Sequence, residues 1–310
     1  MREFEPAFEQ VLHSDISLAE QVIRYVAGRK GKRLRPLLVF LSARLHGGTT
    51  PKTLQASVIV ELLHTATLIH DDVVDESTLR RGSPTVNHLW NNKISVLIGD
   101  FLFSRTLTAL VGFKDHEALA IISDAANRIT EGELIQIEHD HDYEMGEDIY
   151  FDLVSKKTAA LFSASCSLGA WSVAGEHDAR QKMELFGENL GIAFQIKDDL
   201  LDYVGETAKL GKPTGNDIRE NKVTLPLIHA LARAENSRRK TILDLLESGV
   251  DEASIQKVVS FVNEHGGVDY STRIAKEYSD KACAILQTYP ESETKTSLKK
   301  LVEFAINREL

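Results

Sequence analysis

Apolar positions along this 310-residue chain recur every three or four residues, the spacing of one helix face, and strand-like alternation is almost missing. Helical patterning covers 34–45, 54–75, 96–111, 117–139, 155–174, 179–203 and 223–234, with shorter amphipathic segments from Asn236 onward. Proline and glycine punctuate it: Pro36 starts one helix, Gly47-Gly48 stops it, and Pro51 opens the next. Residues 161–173 are small and apolar nearly all round, which predicts central burial. The polar stretch from Glu76 to Thr85, with Arg80-Arg81-Gly82-Ser83-Pro84, cannot be helix throughout. No linker or change of composition divides the chain. The expectation is all-α, a single large helical domain over residues 1–310.

Two of these helical runs end in the same acidic pattern, Asp71-Asp72-Val73-Val74-Asp75 and Asp198-Asp199-Leu200-Leu201-Asp202. On a helix, residues four apart share a face, so Asp71 stacks with Asp75 and Asp198 with Asp202. Stacked carboxylates repel and call for a positive partner. Hard oxygen ligands of this kind suit Mg²⁺, which bridges one or two carboxylates to phosphates. One such motif alone reads equally well as a wet helix end. Two matched copies on apolar helices favour a metal-diphosphate clamp, formed by two antiparallel central helices whose equivalent ends meet.

Composition changes little in this picture. Hydrophobic residues make up 43%, enough for a large core; the net charge is −10, and apart from one short cluster the chain shows no basic stripe of the kind a nucleic-acid binder needs. Cys166 and Cys283 lie in apolar contexts and read as reduced core thiols, with no disulfide framework or zinc site. The N-terminal residues lack signal or transit composition, and no uninterrupted apolar run reaches about 18 residues. A soluble cytoplasmic protein is expected.

Against the acidic background, cations cluster at helix ends. Gly31-Lys32-Arg33-Leu34-Arg35-Pro36 precedes a helix; it lacks the spacing of a phosphate-binding loop, yet Lys and Arg there still attract anions. Arg80-Arg81 follows the first acidic motif, Lys156-Lys157-Thr158 opens an inner helix, and Lys212 and Lys222 follow the second motif. A run at His139-Asp140-His141-Asp142 reads as a solvated acidic loop rather than a metal cluster, and His70 reads as structural.

These motifs, with Glu61-Leu62-Leu63-His64 and Phe194-Gln195 in the same order over roughly residues 28–230, resemble the trans-polyprenyl diphosphate synthases. The resemblance implies a helical bundle around an apolar tunnel and head-to-tail addition of isopentenyl diphosphate to an allylic diphosphate. It implies Mg²⁺, three ions bound with the allylic diphosphate, at Asp71, Asp75 and Asp198, with Asp72, Asp199 and Asp202 in support. Arg80, Lys157, Lys212 and Lys222 would grip that diphosphate; Lys32, Arg35, His64 and Arg81 would hold isopentenyl diphosphate. Thr158 and Gln195 would stabilise the allylic cation through their oxygen dipoles, and released pyrophosphate would take the proton. A homodimer is implied, with no membrane anchor but transient delivery of product to a membrane.

Product length follows from the helix above the first motif. Leu63, Ala66 and Thr67 lie one and two turns before Asp71 and would line the tunnel. Short-chain members of the family carry a bulky aromatic near Ala66, and this chain does not, which implies a long product. Leu63, Leu97, Phe101 and Ile129 are candidates for the tunnel floor. The alternatives are a farnesyl or geranylgeranyl diphosphate synthase, a class I terpene cyclase or head-to-head synthase, a regulatory subunit, and a metal-buffering protein. A cyclase needs no second diphosphate pocket, a regulatory subunit would have lost aspartates, and metal buffering leaves the cations unexplained.

Overall fold

The computed structural model describes residues 2–29, 31–80, 82–173, 177–204, 215–249 and 251–308. Among them the architecture is all-α apart from one two-stranded hairpin. In chain order the elements are α1 (Phe4–Leu12), α2 (Ser17–Ala27), α3 (Leu34–Leu45), α4 (Pro51–Val74), β1 (Leu79–Arg80), β2 (Ser83–Pro84), α5 (Val86–Trp90), α6 (Asn92–Phe113), α7 (His116–Glu138) and α8 (Glu147–Val154). A π-helical turn at Ser155–Ala159 leads into α9 (Ala160–Trp171), followed by α10 (His177–Val204) and α11 (Asn216–Arg219). The chain continues through α12 (Leu225–Arg233), α13 (Asn236–Glu247), α14 (Glu252–Glu264), α15 (Gly267–Gln287) and α16 (Glu293–Asn307).

Local chemistry sets the ends of the long helices. Thr50 and Thr53 cap α4 reciprocally: the Thr53 N–H donates to Thr50 Oγ1 at 3.3 Å and the Thr50 N–H to Thr53 Oγ1 at 3.0 Å. Pro51 then fills the first helical position, where its missing N–H costs nothing. Helix α3 stops at Gly47 and Gly48, whose φ values of 120° and 143° few other residues adopt. The helix expected over 155–174 begins instead as a π turn, and α1, α2 and α8 were not foreseen. Helix α8 shows five apolar residues behind the acidic Glu147 and Asp148, too short a pattern to stand out from a polar loop.

Contacts divide the chain into two compact units. The first comprises 1–126, 161–184 and 291–298; the second comprises 127–160, 185–290 and 299–310. Each has its own core. In the first, Phe4, Phe8, Val22, Leu62, Ile69 and Leu102 pack together. In the second, Tyr150, Ile196, Leu200, Tyr203, Leu225 and Phe261 do so. Every residue from Leu161 to Ser172 is buried, as the small apolar sequence there predicts. Burial raises the Cys166 thiol to about 12, so it is an inert core group.

Helix α6 corrects the expectation about apolar runs. It is long and apolar enough by length and composition to cross a membrane, with mean hydropathy 1.6 over 18 residues, a third of them buried. Lys93, Asp100 and Arg105 interrupt the run, which is why counting uninterrupted apolar residues missed it.

Helices α9 and α3 approach each other where Gly169 meets Val39. A Cβ at Gly169 would lie 2.4 Å from the Val39 carbonyl oxygen and 2.6 Å from Ser42 Cβ. Gly169→Ala is therefore expected to destabilise the protein by about 1–3 kcal/mol, read as a lower midpoint in denaturant or heat.

Candidate active site

In the first unit, the last turn of α4 sorts the three aspartates by direction. Asp71 is half-buried and Asp75 exposed, while Asp72 points inward and is 3% exposed. Asp72 accepts from Arg80 Nε at 2.6 Å, because the β1–β2 hairpin turns the chain back over the helix end. Asn87 Nδ2 secures that turn by donating to the Asp72 and Ser77 carbonyls at 3.0 Å each. Burial raises the Asp72 carboxyl above its usual range, opposed by Arg80. The structure thus places Asp72, expected among the metal ligands, and Arg80, expected on diphosphate, as partners of each other. Arg81 and Lys212 lie outside the described residues.

The basic loop before α3 is also sorted. Arg33 takes a left-handed conformation (φ 48°) and turns inward, where its guanidinium meets Glu61 at 2.6 Å and Glu5 at 3.2 Å and lies over the Phe8 ring. Lys32 stays exposed. Arg35 is brought to His64, with Nη1 3.0 Å from Nε2, and its guanidinium stacks 4.9 Å from the Phe162 ring centroid. Arg35 and His64, expected to share a function, do share a place.

Farther back along α4, Leu63 and Ala66, expected to line a tunnel, are buried and Thr67 is half-buried, its hydroxyl donating to the His64 carbonyl at 3.0 Å. Leu97, a candidate for the tunnel floor, is 58% exposed on the outer face of α6 and does not enter the core. His70 packs against Gly99, where any Cβ would overlap its ring.

In the second unit, the π turn delivers Lys157 and Thr158. It is accommodated by Gly132 on α7, where a Cβ would lie 2.6 Å from the Lys157 backbone nitrogen. Lys157 Nζ donates to Glu133 at 2.7 Å and to Gln136 at 2.8 Å. Thr158 Oγ1 donates to Gln195 Oε1 at 2.8 Å, and Gln195 Nε2 donates to Asp199 Oδ1 at 2.8 Å. Tyr150 donates to Asp199 Oδ2 at 2.5 Å.

The second acidic motif is likewise divided. Asp199 is buried, with both oxygens engaged in the relay just described. Asp202, another expected ligand, accepts from the Asn216 and Asp217 N–H groups at 2.9 Å each and ties 215–219 to the end of α10. Asp198 is exposed; Arg308 Nη2 lies 2.9 Å from its Oδ1 and 3.1 Å from the Phe194 carbonyl, with the guanidinium 3.9 Å from the Phe194 ring centroid. Lys222 donates to Glu220 at 2.7 Å, and its N–H donates to the Asp217 carbonyl at 2.8 Å. Burial and the neighbouring Asp199 and Asp202 push Asp217 well up.

The fit to a metal can be judged from the donors themselves. Among the described residues no three His, Cys, Asp or Glu side chains cluster closely enough to hold an ion alone. Mg²⁺ retains waters and uses one or two carboxylates plus phosphate oxygens. Asp71, Asp75 and Asp198 are the outward carboxylates that could serve. Sequence reasoning missed Tyr150, Glu133, Gln136 and Arg308. Glu133 and Gln136 carried a signal, three residues apart on one helix face; the others had none.

Burial, aided by Asp198 and Asp202 and opposed by Tyr150 and Gln195, raises Asp199 to about 7. A carboxyl with a raised folded pKa binds more protons folded than unfolded, so stability falls as pH rises from about 4 through about 7. The metal-free protein is therefore expected to gain stability as pH drops from about 8 to about 6, and Asp199→Asn to remove that share, read by denaturant midpoints across pH.

Comparison with known proteins gives a consistent result. The polyprenyl synthetase family model matches residues 16–262. The octaprenyl diphosphate synthase of Haemophilus influenzae is 38% identical over 298 residues, covering 96% of this chain and 90% of that protein. A decaprenyl diphosphate synthase structure from Rhodobacter capsulatus superposes with TM-score 0.94 at 36% identity, covering 100% of this chain and 96% of that one. A Caulobacter crescentus polyprenyl synthase complexed with calcium and isoprenyl diphosphate gives TM-score 0.93 at 36% identity, covering 99% and 94%.

Proposed function

The chain belongs to the polyprenyl synthetase family and is a prenyltransferase; on that premise we propose that it adds isopentenyl diphosphate head-to-tail to an allylic diphosphate, giving a long all-trans polyprenyl diphosphate. The observation that carries the reading is the division within each acidic motif. The second aspartate is buried, whereas Asp71 is half-buried and Asp75 and Asp198 are exposed. Asp71, Asp75 and Asp198 would hold Mg²⁺, which when bound with diphosphate stabilises the charge of departing pyrophosphate.

The remaining work falls to the chain's own groups. Lys157, steadied by Glu133 and Gln136, supplies a fixed positive charge to the allylic diphosphate. Thr158 and Gln195 offer oxygen dipoles to an allylic cation. Lys32, Arg35 and His64 form the anion grip for isopentenyl diphosphate, with Arg35 held in place by Phe162. No side chain is placed as general base, and pyrophosphate takes the proton. The 24 residues of α4 span about 36 Å and carry no Phe, Tyr or Trp, so no bulky ring on this helix would bar a long chain.

Purified protein with Mg²⁺, isopentenyl diphosphate and a fifteen-carbon allylic primer is expected to yield products ending at one long polyprenyl diphosphate. Asp71→Ala should lower turnover by roughly 100-fold or more while leaving the fold intact. Products that stop at fifteen or twenty carbons by mass spectrometry would leave the chemistry and refute the length.

The outer face of α6 supports a homodimer. Val96 (41% exposed), Leu97, Phe103, Leu107 and Val111 (71%) form one stripe on it. Asp100 and Arg105 in mid-helix make lipid a costly neighbour. A second copy of the chain, meeting the stripe with its own, covers it without that cost. Leu107→Glu with Val111→Glu is expected to shift sedimentation from dimer to monomer; an unchanged dimer would place the interface elsewhere. Reduced thiols at Cys166 and Cys283 favour the cytoplasm as its compartment.

A further inference from the structure

In the second unit a run of four side chains, Tyr150 and Asp199 buried and Gln195 and Thr158 half-buried, governs what Thr158 can present to a reacting carbon. Tyr150 (2% exposed) donates to Asp199 Oδ2, Gln195 donates to Asp199 Oδ1, and Thr158 donates to Gln195. Each direction is forced by the one before it. In its ionised form Asp199 only accepts, and Gln195 then turns its NH₂ toward it. Its carbonyl then faces Thr158, whose single hydroxyl proton has to point there. What Thr158 Oγ1 retains for its surroundings is lone-pair density.

Thr158 differs here from other helical threonines of the chain. Thr65, Thr106 and Thr108 return their protons to the carbonyl four residues back, at 2.7, 3.0 and 3.0 Å. Thr158 sits in the π turn and spends its proton on another helix instead. Burying a carboxylate such as Asp199 is costly when an apolar residue would pack as well. A fixed dipole direction is a reason to keep it.

We propose that Tyr150 and Asp199 are positioning residues that set the hydrogen-bond direction of this relay, so that Thr158 presents an oxygen lone pair, and never its proton, to the allylic cation. The inference rests on the prenyl-transfer reading and deepens it. A dipole already aimed with its negative end at a developing positive charge needs no reorganisation during reaction. The reversed dipole would repel the same charge.

The relay can be reversed and restored by two substitutions of nearly constant volume. In Asp199→Asn, the new carbonyl accepts from Tyr150 and the new NH₂ donates to Gln195, whose amide flips and donates to Thr158. Adding Gln195→Glu returns an acceptor to position 195, so Thr158 again donates inward. Turnover should fall roughly 10- to 100-fold in Asp199→Asn with KM for both diphosphates within about twofold, and most of it should return in the double variant.

A second readout needs no turnover. Calorimetry compares binding of a fifteen-carbon diphosphate analogue bearing a protonated nitrogen at the cationic carbon with its neutral carbon isostere. The wild type is expected to prefer the cationic analogue by about tenfold. The preference should vanish in Asp199→Asn and return in the double variant, with the neutral analogue binding all three alike. Thr158→Val should abolish it and Thr158→Ser retain it, a test made without altering the buried carboxylate. A preference that survives Asp199→Asn, or a double variant no better than the single, overturns the relay. Wild type that shows the preference pattern but condenses nothing overturns the prenyl-transfer reading instead.

Discussion

A carboxylate taken out of water must find donors, and that requirement organises both acidic motifs. Consecutive helical residues point about 100° apart, so the two adjacent aspartates of each motif face different ways. Asp72 and Asp199 turn inward and are met by Arg80 in one case and by Tyr150 and Gln195 in the other. Their burial pins the helix ends, and Asp71 and Asp198 point outward as a consequence. Desolvation raises both inner carboxyls, so the cost of this arrangement is real.

The two copies then diverge. After the first motif a hairpin returns a guanidinium, a full opposing charge, to the buried aspartate. After the second, neutral donors do the same duty, and Asp202 becomes an anchor for the following loop. The difference matches surroundings: Asp202 raises Asp199, and Asp199 and Asp202 both raise Asp217. Neutral donors leave that cluster acidic and able to attract cations.

Close backbone approach is the second constraint. Gly132 opposite Lys157 and Gly169 opposite Val39 mark places where helices meet with no room for a side chain. The first of these makes the π turn possible, and the π turn is what aims Thr158 at Gln195 rather than at its own helix. A scaffold contact thereby reaches the orientation of a single hydroxyl.

Helical periodicity, the repeated aspartates and the cations at helix ends were legible in the sequence, because they depend on local spacing and residue type. That Arg35 and His64 belong together was expected only through resemblance, and the two do lie in contact; their spacing on separate helices carries no such message. The short helices α1, α2 and α8 were illegible because a few apolar residues do not distinguish a helix from a loop. Which aspartate of each motif faces inward, that Arg33 rather than Lys32 is buried, and that Arg308 reaches Asp198 depend on partners far away in the chain. Sequence by itself determined the chemistry available, an acidic pair of helix ends among cations. Tertiary packing decided which oxygens remain for chemistry, since only burial and distant donors determine where a carboxylate or a hydroxyl can point.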